Sequence, residues 1–545
     1  MRGGGAYRHL WPVVRLVAGI LILDLLLIFP NHPGAATPEA LLLLPWELPV
    51  LLLMLAFVPQ RLERPLIWAI GILLALAMLI KCADLISNLS IGRPFSFILD
   101  GFLLSAAWQL GVGNFGVAAT VGVVLLIALI FGGIGLAAGW AARQVSRKRT
   151  GAGAGLAVLL LFGAAAAAHA IGAMPSRTAA FTSHVILDHA RYVRAGLEDK
   201  RHFAEAAAKD SFAAVPADTL LAGLRGHDVL LTFVESYGRT NLDNPLYAAT
   251  TRAALETLQS TVTARGLAAR SAWLTSPVMG GGSWYAHETL TSGLRIGDQT
   301  RYDALLASPR LTLIDFFARA GWDTVAVVPG ITMAWPEGRK LGFERIHDAG
   351  HLGYHGLPFN WVTMPDQFTL AQLSRLELAR ADRPPVFAVT ALLSSHAPWT
   401  PIPRLVPWDA VGDGAIFNEQ AVEGEAPEVV WRDPDRVRDQ FRKAIDYSLR
   451  ALDAFVAAKL GGDELLIILG DHQPAPLVAG ADAGHDVPIT IIGPPDVLAA
   501  LEGWGWTPGT IPAADAPVWP MQNFRDRFLA AYTPAVDGTA GHLMH

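Results

Sequence analysis

Apolar residues are laid out along this chain in two regimes. Up to about residue 175 they come in long runs, over 12–30, 40–59, 65–86, 115–142 and 152–173, each close to the ~20 residues a helix needs to cross hydrocarbon. Beyond that point the runs shorten and become rich in Val, Leu and Ile, at 228–235, 324–328, 386–393, 464–469 and 488–492. Short runs separated by helical stretches suit strands buried on both faces of a sheet. The pattern predicts an N-terminal helical transmembrane domain of five spans (1–175), a connecting helix and linker (176–225), and an α/β domain with a largely parallel central sheet (226–545).

Smaller features refine this division. The stretch 95–111 carries Asp100 and is too short to cross, so an interfacial or re-entrant segment is expected there. The first run lacks a small-residue cleavage site and further spans follow it, so it reads as an anchor and not as a removed signal. Residues 188–210, rich in alanine and charge, read as the connecting helix. The proline- and acid-rich stretch 403–435 reads as a surface excursion.

Charge adds an orientation. Arg2, Arg8 and Arg15 stand at the start, Arg61 and Arg64 after the second run, and Arg143, Arg147, Lys148 and Arg149 after the fourth. The alternate loops carry almost nothing apart from Arg93. Positive-inside bias then puts the N-terminus in the cytoplasm, and five crossings put the α/β domain outside. The layout expected is that of a multi-pass protein of a bacterial-type inner membrane with its α/β domain periplasmic or extracellular. Lys81 and Asp84, at the outer end of the third run, are expected as a snorkelling or interfacial pair, the alternative being an intramembrane functional pair. The 545 residues are 52% hydrophobic and 17% charged, with a net charge of -6 and no basic block, which argues against nucleic acid as a partner. A single cysteine, Cys82, excludes an internal disulfide framework.

The chemistry gathers where the short runs end. The first finishes Val-Glu235-Ser-Tyr-Gly and the fourth Leu-Gly-Asp471-His472-Gln-Pro. Strand ends of open α/β sheets bind ligands, and a Glu with an Asp-His pair offers three hard or borderline donors to one divalent cation. Each fragment alone also fits a helix cap or a turn. A third fragment, Met279-Gly-Gly-Gly-Ser283-Trp-Tyr-Ala-His287-Glu, offers a hydroxyl at a helix start, where free amides and the dipole favour a phosphate. A serine becomes a nucleophile when a base or a cation lowers its pKa; a flexible glycine loop is the alternative. His287 faces the same site if a helix begins at Ser283, or packs locally. His347, His351 and His355 are evenly spaced, but Gly350, Gly353 and Pro358 argue against one helix face and against a metal cluster there.

Taken in order, Val-Glu235-Ser, Gly-Gly-Ser283-Trp, Ser-Ser-His396-Ala-Pro, Gly-Asp471-His472 and His485-Asp-Val-Pro, behind a set of membrane spans, resemble the sulfatase-like branch of the alkaline phosphatase superfamily. The layout is similar to that of the membrane-anchored lipid head-group transferases: lipoteichoic acid synthases, phosphoethanolamine transferases and phosphoglycerol transferases. The resemblance implies that Glu235, Ser283, Asp471 and His472 surround one divalent metal ion, with Ser283 as nucleophile. It also implies that His396 and His485 contact the phosphate or leaving group, and that Trp335 and Arg339 lie where relatives hold the head group. The mixed N/O donor set permits Zn²⁺ or Mn²⁺, and Mg²⁺ as well.

Two departures matter. The transferases use threonine where this chain has Ser283, which keeps a hydroxyl nucleophile. Sulfatases carry an x-Pro-x-Arg pattern after the matured residue, whereas Ser283 is followed by Trp-Tyr-Ala-His. The expected activity is therefore transfer of a phosphoglycerol- or phosphoethanolamine-type head group from a membrane phospholipid donor, through a phosphoserine, to an envelope glycan or lipid acceptor. The alternative is a membrane-anchored phosphodiesterase, phosphatase or sulfuric ester hydrolase on the same fold.

Overall fold

The long apolar runs fold as helices and the short ones as strands. The computed structural model describes residues 5–91, 94–96, 100–146, short stretches between 156 and 172, 178–179, 181–480 and 482–534. The chain divides into two units, Met1–Lys200 and Arg201–His545.

In the first unit the helices are α1 (Gly5–Ile28), α2 (Glu47–Phe57), α3 (Gln60–Ile91) and α4 (Gly101–Ser146). Three stretches, Trp11–Ile28, Gln60–Asn88 and Phe115–Ser146, are long and apolar enough to cross a bilayer. The second expected span, 40–59, is not one helix. Pro45 lies in a two-residue parallel pair, β1 (Leu44–Pro45) with β2 (Thr178–Ala179), and α2 after it has 11 residues. At 1.5 Å per residue that is about 16 Å, roughly half the hydrocarbon thickness. Proline interrupts the run because it lacks the N–H and clashes with the preceding turn. The fifth expected span, 152–173, lies largely outside the described residues. The stretch expected as re-entrant begins α4, which is broken at Gly116 (φ 80°, ψ 163°), a conformation open to glycine. Close contact between α3 and α4 also depends on glycine: a Cβ on Gly71 would lie 2.6 Å from the Gly135 carbonyl oxygen.

Lys81 and Asp84 do not snorkel. Both are buried. Lys81 Nζ donates to the carbonyls of Leu27 (2.7 Å) and Leu26 (3.4 Å) and to Thr182 Oγ1 (2.9 Å). The last carbonyls of a helix lack partners of their own, and a cation there also meets the negative end of the dipole. Asp84 accepts from Asn31 Nδ2 and the Phe95 amide, and its carboxylate lies 3.0 Å from His189 Nε2. Sequence alone showed two charges in an apolar run, not the helix end that Lys81 closes or the side chains that surround Asp84.

The connecting helix is α5 (Thr182–Ala207). In the second unit the strands are β3 (Val229–Val234), β4 (Ala268–Thr275), β5 (Asp323–Val328), β6 (Arg345–Asp348), β7 (Val386–Leu392), β8 (Leu465–Gly470), β9 (Asp486–Gly493), β10 (Thr507–Pro508) and β11 (Val518–Pro520). They form one sheet in the order β10-β4-β9-β8-β3-β7-β5-β6, with β11 beside β4. The run β8-β3-β7-β5-β6 is parallel, and β9 is antiparallel to both its neighbours. All five expected strands are present. Every residue of β3 and β8 is buried, as strands covered on both faces must be.

Alternation along β3 splits the core in two. Leu230 and Val234 face one layer, which includes Leu255 and Leu258 of α6 (Pro245–Ala264). Val229, Leu231 and Phe233 face the other, with Ala286 and Leu290 of α7 (Ser283–Ser292) and Phe316 and Phe317 of α8 (Leu313–Ala320). A long amphipathic helix, α9 (Pro434–Ala458), adds Phe441 and Phe455 to the first layer. The sheet is thus the middle of three layers, and its parallel strands all present their C-terminal ends at one edge.

Candidate active site

Register brings the first two fragments together. Val234 of β3 pairs with Gly470 of β8, so the next residues, Glu235 and Asp471, leave adjacent strands side by side. On its other flank Val234 pairs with Leu392 of β7, which leads into Ser394-Ser395-His396. The turn after β3 is tight: Ser236 takes a left-handed conformation (φ 58°), rare for a residue with a Cβ. Its amide donates to Asp471 Oδ1 at 2.8 Å and its hydroxyl to Glu235 Oε1 at 2.9 Å. Strain of this kind persists where surrounding bonds fix it.

The glycine loop delivers Ser283 to the same point. Met279 bridges Gln473, and the Gly280 amide donates to the Gln473 carbonyl at 2.8 Å, stitching the loop to the residue after His472. Gly282 caps α7 with φ 80°, and Ser283 is the first residue of that helix. Ser283 Oγ donates to Glu235 Oε2 at 2.9 Å and lies 3.3 Å from His472 Nε2. His472 Nε2 is 3.3 Å from Glu235 Oε1 and 3.8 Å from Asp471 Oδ2. Ligand atoms of Glu235, Asp471 and His472 all lie within 4.8 Å of one another, and all three residues are buried.

The electrostatics of this group favour a cation. His472 Nδ1 lies 2.8 Å from the Gln473 carbonyl, which only accepts, so Nδ1 carries the hydrogen and Nε2 faces the carboxylates. Burial disfavours a charged ring, but Asp471 and Glu235 override it and raise the imidazole to about 10. Burial, then the charge of Glu235, raises the Asp471 carboxyl to about 7. Burial also opposes a charged Glu235, but the His472 charge beside it outweighs that and holds its carboxyl below the usual range. Two buried carboxylates, a hydroxyl and an imidazole nitrogen fit a divalent ion, which would displace protons from His472 and Asp471.

The remaining expected residues fall into two groups. His396 follows β7 beside this cluster: the neighbouring Ser395 Oγ donates to the Glu235 carbonyl at 2.6 Å. His396 Nδ1 lies 2.6 Å from the Ala397 carbonyl, leaving Nε2 free. His485 stands at the start of β9, where its Nδ1 lies 3.2 Å from the Ser276 carbonyl, and Ser276 Oγ donates to the Asp471 carbonyl at 2.6 Å. Trp335 and Arg339 make contacts within their own segment. Trp335 packs on Phe343, and Arg339 Nη1 donates to the carbonyls of Phe343 and Glu344, so that one nitrogen is committed to backbone.

His287 packs locally, stacked on Phe233 with ring centroids 3.9 Å apart. Burial lowers its imidazole to about 4, so the ring stays neutral at physiological pH. His347, His351 and His355 each face a different carboxylate, those of Glu377, Asp348 and Asp413. Ser236, Ser276, Ser395 and Gln473 also build the site and were not singled out by sequence. Their only sequence signal was position next to a strand end.

No family model matches the chain, and no curated protein matches it. Among solved structures it is similar to the lipoteichoic acid synthase LtaP from Listeria monocytogenes, at 12% identity and TM-score 0.39 over 59% of this chain and 75% of that one. It is similar to the C-terminal periplasmic domain of EcEptC from Escherichia coli in complex with Zn, at 14% identity and TM-score 0.38 over 58% and 84%. It is also similar to the Streptococcus pyogenes phosphoglycerol transferase GacH in complex with sn-glycerol-1-phosphate, at 14% identity and TM-score 0.38 over 62% and 81%. With scores and identities this low, the reading of the site rests on this chain's own residues.

Proposed function

We propose that the chain is a membrane-anchored, metal-dependent phosphotransferase that moves a phospholipid head group to an envelope glycan or lipid. One observation carries the reading: Ser283 Oγ, at the N-terminus of α7, hydrogen-bonds Glu235 and adjoins His472 beside Asp471. A divalent cation held by Glu235, Ser283, Asp471 and His472 would lower the pKa of the hydroxyl and neutralise charge on the phosphoryl group. Ser283 Oγ then attacks phosphorus; the Oγ–P bond forms, and the bond to the diacylglycerol oxygen breaks. The serine proton passes toward Glu235, its hydrogen-bond acceptor, and the departing oxygen takes a proton from the His396 side of the site. An acceptor hydroxyl next attacks the phosphoserine: its oxygen bonds phosphorus, the Oγ–P bond breaks, its proton replaces the one His396 gave up, and Glu235 returns its proton to Ser283 Oγ. The positive end of the α7 dipole, at Ser283, favours the anionic group in both steps.

An anchor suits this chemistry, because a donor confined to the membrane meets a tethered enzyme at high effective concentration. The Arg clusters at the start and after 142 support a cytoplasmic N-terminus, and an odd number of crossings, three or five, would put the α/β unit outside. In the full chain, Ser283→Ala should reduce transfer of a fluorescent phospholipid's head group on the order of 10³-fold or more while leaving the fold intact. Peptide mass spectrometry should find the head group as a phosphodiester on Ser283 in the wild type. Transfer at the wild-type rate by Ser283→Ala would remove the nucleophile and this mechanism with it.

A further inference from the structure

His396 has an unusual neighbour. Trp361 is 62% exposed, yet its position is closely fixed. It sits at the tip of a tight turn in which the Phe359 amide donates to the Val362 carbonyl at 2.8 Å and the Val362 amide to the Phe359 carbonyl at 3.1 Å. Asn360 supplies the left-handed step of that turn (φ 58°). Phe359 and Val362 are both buried in the core, and Thr363 Oγ1 donates to the Pro329 carbonyl at 2.6 Å, tying the turn to the loop after β5. The turn thus holds its flanks inside and its indole out. That indole lies on the His396 ring, with centroids 4.4 Å apart and planes 21° from parallel. The imidazole is its only ring partner among the described residues.

A single exposed indole is ordinary by itself; what marks Trp361 is its face-to-face contact with His396. The imidazole has two freedoms that matter to chemistry. The Ala397 carbonyl settles which nitrogen carries hydrogen, since Nδ1 donates to it. It does not settle the ring plane, because the torsion about the Cβ–Cγ bond of histidine is broad. A flat wall against one face removes that freedom. We propose that Trp361 is a positioning residue: it holds the plane of His396 so that Nε2 points at the group being transferred. The proposal rests on the reading of this site as a phosphotransferase with His396 beside the transferred group.

The test uses the full chain in nanodiscs, with a fluorescent phospholipid donor. Trp361→Ala should lower kcat about 10–100-fold, the loss expected when a proton-transfer group keeps its chemistry but loses its orientation. KM should move less than about threefold, since ground-state binding is not what is lost. Trp361→Phe, which keeps a flat ring, should recover most of the rate, and Trp361→Leu should not. Adding Trp361→Ala to His396→Ala should cost nothing further, because the wall then has nothing to hold. Thermal melts of the variants should match the wild type, since the turn is closed by backbone bonds. A rise in KM at constant kcat, a rate loss additive with His396→Ala, or equal activity of the Leu and Phe variants would each overturn the proposal. Wild-type transfer with His396→Ala equally active would defeat it alone; no transfer by the wild type would defeat it together with the proposed function.

Discussion

Loading the site with a divalent cation should release protons in a number set by its geometry. Without a cation, His472 Nε2 faces two carboxylates and the ring stays charged up to about pH 10. Asp471 keeps its proton up to about pH 7, and Glu235 is ionised throughout the neutral range. An ion ligated by all three requires a neutral imidazole and two carboxylates. At pH 7 the site should therefore give up the whole His472 proton and about half of one from Asp471, or about 1.5 protons per ion. The sign follows: protons compete with the cation, so affinity rises with pH. Between pH 7 and 9 the dissociation constant should fall about tenfold per unit, steepening toward about a hundredfold per unit below pH 7, where both protons are displaced. Calorimetric titration of the full chain with Zn²⁺ or Mn²⁺, in buffers of different ionisation enthalpy, reads the proton count directly. Asp471→Asn should cut the release to about one proton and weaken binding at least about tenfold, one ligand being lost. Release below about half a proton at pH 7, or a dissociation constant flat from pH 7 to 9, would refute this arrangement of donors.

Two further predictions concern the scaffold. Glu377 bonds Arg345, His347 and Arg380; burial works against its charge, but His347 and Arg345 override it and lower its carboxyl to about 2. Its stabilisation is present above the ordinary carboxyl pKa and lost as pH falls toward 2, about 3.4 kcal/mol unscreened and roughly half that with partly exposed partners. Denaturant melts should show wild type losing about two-thirds of that screened amount more than Glu377→Gln between pH 5 and 2.5, the rest going at lower pH, and parallel losses would count against the pair. Phe317 is fully buried and stacked on Phe387 at 3.9 Å, so Phe317→Ala should destabilise the α/β unit by about 4 kcal/mol. A loss under about 1 kcal/mol would show that this layer repacks freely.

The sequence alone carried the period of the elements and the types of donor. Long apolar runs could fold only as helices in hydrocarbon, and short Val-, Leu- and Ile-rich runs only as doubly covered strands, so the five central strands were legible. β4 was not: Ala-Ala-Arg-Ser-Ala-Trp-Leu-Thr has little strand preference, and it is β9 alongside that makes it a strand. The half-length α2 was hidden in an apolar count, because hydropathy does not weigh Pro45, which divides the run. At the site, Glu235, Ser283, Asp471 and His472 were legible as donors beside strand and helix ends. Their meeting was decided by register, which pairs Val234 with Gly470, and by the Gly280 bond to Gln473. Arg339 and Trp361 show the limit most clearly. A guanidinium's partner and an indole's neighbour depend on where separate loops end in space, and no spacing along the chain encodes that. Arg339 turned to its own backbone, while Trp361, which no motif marked, came to rest on His396.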